Sequence, residues 1–140
     1  MNAQTKTNLL TALHGEAFAY AKYMLFAEHA RQQGQTELAR LFTETAHTEL
    51  FEHFAEEAKL AGLVGSDIEN LKDAIDGESY EVTTMYREFA DQARAAGDEA
   101  AAERFTEVLH DEMGHRDAFK SALNLLNADT ATAKTLTTHR

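Results

Sequence analysis

Apolar positions recur along the chain at steps of three and four in four separate stretches, the period of a helix with one buried face. The first stripe reads Leu9, Leu13, Glu16, Tyr20, Tyr23, and the second reads Leu38, Leu41, Phe42, Thr45, Glu49, Glu52. The third reads Leu71, Ile75, Glu78, Val82, Met85, Phe89, and the fourth Phe105, Val108, Leu109, Glu112, His115, Phe119. Punctuation sets the ends. Residues 5–33 run to Gly34 and residues 36–61 to Gly62, both plausible helix-terminating glycines. Ser66-Asp67-Ile68-Glu69 reads as a capping box opening a third segment that ends at Gly97, and Asp98 is a candidate N-cap for a fourth that reaches about Asn127. The links at Gly34 and Gly97 are so short that helices one and two, and three and four, are expected to be antiparallel neighbours. The stretch from Ala61 to about Ile75 is expected to carry the chain between the pairs. The architecture predicted is all-α, an antiparallel four-helix bundle over residues 1–127 with one long crossover between helices two and three. Residues 128–140, rich in Thr and Ala with little to bury, form a polar tail expected to be disordered.

The second half repeats the first. Phe42-Thr43-Glu44 overlays Phe105-Thr106-Glu107, His47 overlays His110, Glu49 overlays Glu112 and Glu52 overlays His115, all at an offset of 63. Gly15-Glu16 overlays Gly77-Glu78 at 62, whereas Phe26 and Phe89 are back at 63. The third helix therefore holds one extra residue between Glu78 and Phe89. A helix usually absorbs such an insertion as a π-bulge, so one is predicted near Glu81 to Met85.

Composition sharpens this picture. Proline is absent and glycine limited to 7 of 140 residues, which suits long helices. Cysteine is absent, and with it disulfides, zinc ribbons and thiol catalysis. The net charge of -11 opposes binding to nucleic acid or anionic membranes. The start shows no basic-then-apolar leader, and no run approaches the roughly 18 apolar residues of a membrane span, so a cytoplasmic location is expected.

The acids then stand on the wrong face. Each stripe aims a carboxylate inward: Glu16, Glu49 with Glu52, Glu78 with Glu81 one turn on, and Glu112 with His115. Packed together without partners, ionised carboxylates repel and lose hydration. Lys22, Arg87, Arg94 and Arg104 lie off the stripes. Two divalent ions would offset four anionic ligands, and a Glu-rich set with an occasional His suits iron or manganese. The arrangement is similar to that of ferritin-like dimetal carboxylate bundles, in which two helices each give a Glu and two each give a Glu-x-x-His pair.

Gly15-Glu16 with Tyr23, Glu44-Thr45-Ala46 ahead of Glu49, Gly77-Glu78-Ser79-Tyr80-Glu81 with Met85-Tyr86, and Glu112-Met113-Gly114-His115 carry a closer likeness. Over roughly residues 6–122 the chain resembles the rubrerythrin family, specifically its ferritin-like diiron domain. Glu81 is the informative position, since rubrerythrins carry this additional carboxylate and ordinary ferritins do not. The resemblance implies Glu49 and Glu112 as bridging ligands, Glu16 and Glu78 as terminal ligands, and His115 completing the metal held by Glu78. It implies that Glu81 and the residue at position 52 exchange at the other metal with redox state, and that the Tyr23 and Tyr86 hydroxyls bond to ligand carboxylates.

Glu52 departs from the family pattern, in which His is usual at that position. The resulting Glu-x-x-Glu looks more like symerythrin, a relative with a more carboxylate-rich site. His53 is the alternative: relative to Glu49 it lies about 40° around the helix, with Glu52 about 60° the other way. Both are sterically conceivable; the repeat register favours Glu52. His47 and His110 are turned away from the acids and are expected at the surface. His14, His29 and His139 show no partner pattern.

The expected function is that of a dimetal oxidoreductase with two iron ions, manganese or a mixed Fe/Mn pair being the alternatives. The resemblance implies reduction of hydrogen peroxide to water, with dioxygen-dependent oxidation or iron binding and storage as other readings. With no cysteine there is no rubredoxin module in these residues. Electrons would come from an external rubredoxin-like or flavoprotein donor, and a homodimer is expected by analogy.

Overall fold

The structure, a computed structural model, describes residues 1–137. The side chains from Asp129 onward and the last three residues lie outside that description; the backbone of residues 128–137, set apart above as a disordered tail after a helix ending near Asn127, instead continues the last helix to Thr137. The described chain is all-α and divides into two compact units, Met1–Val64 and Gly65 onward.

The first unit is a hairpin of α1 (Ala3–Gln32) and a second helix built from α2 (Thr36–Thr48), a π-helical stretch π1 (Glu49–Phe54) and α3 (Ala55–Ala61). The second unit is a hairpin of α4 (Asp67–Tyr80), π2 (Glu81–Met85) and α5 (Tyr86–Ala96), again continuous, with α6 (Glu99–Thr137). Both pairings match the antiparallel neighbours expected from the short links. The bulge predicted at Glu81 to Met85 is present with those bounds. The stretch linking the helix pairs is shorter than 61–75. The Ser66 capping box forms, with the Ser66 amide donating to Glu69 at 2.8 Å, and helix resumes at Asp67.

Each hairpin closes in the same way. Gly34 and Gly97 take φ of 71° and 81°, a left-handed conformation that glycine adopts without strain. That turn lets the Gln35 amide reach Ala30 O at 2.8 Å and the Asp98 amide reach Ala93 O at 2.9 Å, satisfying carbonyls the helix end would otherwise orphan. A guanidinium then crosses each pair. Arg31 donates to Thr43 Oγ1 at 3.0 Å and, 63 residues later, Arg94 donates to Thr106 Oγ1 at 3.0 Å.

Alanine makes the seams. Ala27, Ala30 and Ala39 are buried in the first unit, and their repeat equivalents Ala90, Ala93 and Ala102 are buried in the second. A methyl side chain costs little entropy to bury and lets two helix backbones approach closely. Above the seams sit matching ring clusters. Tyr23, Phe26 and Phe42 have centroids 5.4 to 6.3 Å apart, and Tyr86, Phe89 and Phe105 lie 5.6 to 6.3 Å apart. These separations fall in the favourable range for tilted and edge-on ring pairs.

The close seam yields a test. Ala27 is fully buried at 0% exposure, so Ala27→Leu inserts three carbons where the helices touch and should lower stability by about 1–3 kcal/mol. Leu60→Gln, at a 69% exposed position, should leave the thermal midpoint within a degree or so. Equal effects from the two substitutions in a thermal melt would overturn the seam assignment.

Candidate metal centre

Each hairpin brings three donors together. In the first unit α1 supplies Glu16, and the second helix supplies Glu49 and His53 from opposite ends of one turn of π1. In the second unit α4 supplies Glu78, and α6 supplies Glu112 and His115. Within each trio the donor atoms all lie within 4.8 Å of one another. The two trios are near copies. His53 Nδ1 is 2.7 Å from Glu49 Oε2 and 3.8 Å from Glu16 Oε2; His115 Nδ1 is 2.6 Å from Glu112 Oε2 and 3.9 Å from Glu78 Oε2. Glu49 and Glu112 have side chains only 16% exposed, whereas His53 and His115 are 53% and 59% exposed, so the imidazoles stand at the rim.

The expected residues distribute as follows. Glu16, Glu49, Glu78, Glu112 and His115 enter the trios. Glu52 is exposed and enters neither; His53 occupies the place that the repeat register gives to Glu52. The physical reason is π1. An i→i+5 turn is wider than an α-turn, so a step of four residues comes closer to a full turn and a step of three falls short. In π1 the i+4 residue therefore shares the Glu49 face, whereas in the regular α6 the i+3 residue shares the Glu112 face. A signal for this existed: Glu49 and Glu112 are offset by 63 but His53 and His115 by 62, the same slip that revealed π2.

Glu81 is half-buried at the first position of π2. Its charge is close enough to help raise the pKa of Glu78 and of Tyr86, though it is not in the trio. Tyr23 and Tyr86 are half-buried in the ring clusters, one to each unit. His47 and His110 are exposed, as their phase on the helices predicts. Glu57 was not singled out by the stripes. It is half-buried, its Oε2 is buried without a hydrogen-bond partner, and it follows Glu49 and His53 at steps of four.

The electrostatics record the crowding. Burial, then the neighbouring Glu49 carboxylate, pushes the Glu16 carboxyl above its ordinary 4.5. Burial, then Glu112, does the same to Glu78. The hydrogen bond to Glu112 holds the His115 imidazolium above 6.5, and burial, then Glu81, raises the Tyr86 phenol above 10.0. Glu78 Oε2 is buried without a hydrogen-bond donor. A carboxylate oxygen orphaned beside another carboxylate and an imidazole nitrogen is what a cation site needs. The donor set of two carboxylates and one nitrogen per trio fits a pair of iron or manganese ions.

A family model described as Rubrerythrin matches residues 7–123. A rubrerythrin of Porphyromonas gingivalis is 33% identical over 86% of this chain and 66% of its own length. Nigerythrin of Nitratidesulfovibrio vulgaris is 34% identical over 89% of this chain and 68% of its own. A solved structure described as a mixed-valence state of nigerythrin is 33% identical, covering 91% of this chain and 70% of that one, with a TM-score of 0.44. The chain thus spans about two thirds of the length of the curated relatives it matches.

The pKa directions fix the sign of the pH dependence. Glu16, Glu78 and His115 bind protons more tightly folded than unfolded. The stability contributed by the two carboxyls is fully present below 4.5 and is lost as pH rises through their folded values. That of His115 is fully present below 6.5 and is lost above it. Metal-stripped protein should therefore melt at lower temperature as pH rises from about 5 to about 8, and Glu16→Gln with Glu78→Gln should flatten that slope. Adding a divalent metal at neutral pH should raise the midpoint. A chelated protein whose midpoint climbs with pH and ignores both substitutions would contradict the crowding.

Proposed function

The chain belongs to the rubrerythrin family, and from that premise we propose that it is a dimetal-carboxylate peroxidase. It would reduce hydrogen peroxide to two waters, consuming two electrons and two protons. The observation that carries this reading is the pair of matched trios. Glu16, Glu49 and His53 would hold one metal, and Glu78, Glu112 and His115 the other. Bound there, a pair of iron ions supplies redox equivalents and Lewis acidity.

The chain's own groups do the rest. Glu49 and Glu112 are the least exposed carboxylates of their trios, which suits them as metal ligands. Glu81 can approach the second group from π2. Glu52 is exposed beside His53, where it could supply a carboxylate at the rim. The Tyr86 hydroxyl keeps its proton because burial and nearby carboxylates oppose phenolate, so it acts as a donor that orients an acceptor oxygen. Tyr23 has the equivalent position in the first unit. His53 and His115 turn Nδ1 to Glu49 and Glu112, so each would give its metal the one nitrogen donor of the trio. Electrons would come from a separate rubredoxin-like or flavoprotein carrier. The surface is strongly acidic overall, and no helix of the described residues is long and apolar enough to cross a membrane.

Metal analysis and rapid mixing test this directly. Reconstituted protein should hold about two iron ions per chain, and its anaerobically reduced form should be oxidised faster by peroxide than by dioxygen. Glu49→Ala or Glu112→Ala should abolish tight binding of at least one ion. A reduced form that reacts no faster with peroxide than with air would replace the peroxidase reading with that of a dioxygen-dependent oxidase or an iron-binding protein.

A further inference from the structure

The wide turn that carries Glu81 is held by a side chain from outside it. A π-turn interrupts the regular ladder, so a carbonyl beside it needs a donor other than the amide four residues on. In π2 the Tyr86 amide donates to the Glu81 carbonyl. The Arg87 guanidinium folds back and its Nε donates to the Val82 carbonyl at 2.8 Å. Val82 is only 2% exposed, which leaves water little room to replace that donor.

The repeat provides an internal control. At the offset of 63 that relates Tyr23 to Tyr86, the counterpart of Arg87 is Met24; at the offset of 62 that relates Glu16 to Glu78, the counterpart of Glu81 is Ala19. Both counterparts lie in α1, which is α-helical throughout from Ala3 to Gln32. The additional carboxylate, the wide turn and the arginine occur together in one helix and are missing together from its equivalent. The other wide turn, π1, closes with the Ala55 amide on Leu50 O, as π2 closes with the Tyr86 amide on Glu81 O; the next residue, where the second unit has Arg87, is Glu56, whose carboxylate does not donate. It carries Glu49 and His53, and its additional acid, Glu52, is exposed where Glu81 is half-buried.

We propose that Arg87 is a positioning residue that pins π2 in register and so keeps Glu81 turned toward Glu78, Glu112 and His115. With its donor removed, the Val82 carbonyl regains a partner when the wide turn moves along the helix. A shift of one residue rotates a side chain by about 100° relative to Glu78, enough to take Glu81 off the site. The effect on metal rests on the reading of Glu81 given above; the pinning of the turn does not.

The experiment uses the full chain with Arg87→Met and Arg87→Lys, each with and without Glu81→Gln. In metal-free protein, Arg87→Met should speed amide exchange at Tyr86 by about tenfold or more, a factor corresponding to about 1.4 kcal/mol and to the low end for a bond from a charged donor. Exchange in α6 should be unchanged. Cobalt(II) added as a spectroscopic probe should report Glu81→Gln as a change in the visible absorption of the parent chain but not of the Arg87→Met chain. Arg87→Lys, which retains a donor, should restore the difference. Unchanged Tyr86 exchange in Arg87→Met, acceleration spread evenly over the second unit, or a full Glu81→Gln effect in its presence would each overturn the proposal. Failure of the parent chain to bind cobalt would count against the metal reading alone, since the exchange measurement still decides the role of Arg87.

Discussion

Two half-buried carboxylates held within a few ångströms of one another and of an imidazole make an arrangement that protein groups alone do not satisfy, and this chain contains it twice. Desolvation and like charge both oppose ionisation, and the raised values of Glu16 and Glu78 express that opposition. Only protons or cations relieve it. Everything else in each hairpin acts to prevent the acids from escaping to water.

That holding is done by short-range packing and repeated hydrogen bonds. Buried alanines bring the helices together, an arginine-to-threonine bond ties the outer turns, and a ring cluster joins the two helices of each pair. Because all three devices recur at one offset, the trios agree within a tenth of an ångström in their histidine-to-carboxylate distances. The units nevertheless differ in where they break α-helical register. The first does so in its second helix and the second in its first helix. One break brings a histidine into line with Glu49; the other presents Glu81.

Much of this was legible in the sequence, because helical period, glycine stops and a capping box are local signals. The four helices and both hairpins follow from them, as do Glu16, Glu49, Glu78, Glu112 and His115, while π2 follows from the change of offset in the repeat. Glu52 against His53 was harder. Counting around a uniform helix favours neither strongly, and a constant offset from Glu49 points to Glu52, whereas the change from 63 to 62 between Glu49 and His53 points to the histidine. Glu57 is invisible to stripe reading for a different reason: its oxygen is buried by packing that periodicity does not report, close enough for its charge to act on Glu16. The Arg87-to-Val82 bond was likewise unreadable, since an off-stripe arginine looks like any solvated cation until the wide turn exposes a carbonyl to it.

The two wide turns also bear on how such a chain can change over generations. An added codon inside a helix normally turns every later side chain away from its neighbours, which is why such insertions are expected to be purged. Here the ring cluster beyond π2 keeps the spacing of its counterpart built on the uninterrupted α1. The surplus residue is confined to one turn. A duplicated helical pair that can swallow a single-residue insertion in this way can try new acids or imidazoles beside an existing site without first dismantling the scaffold that holds it.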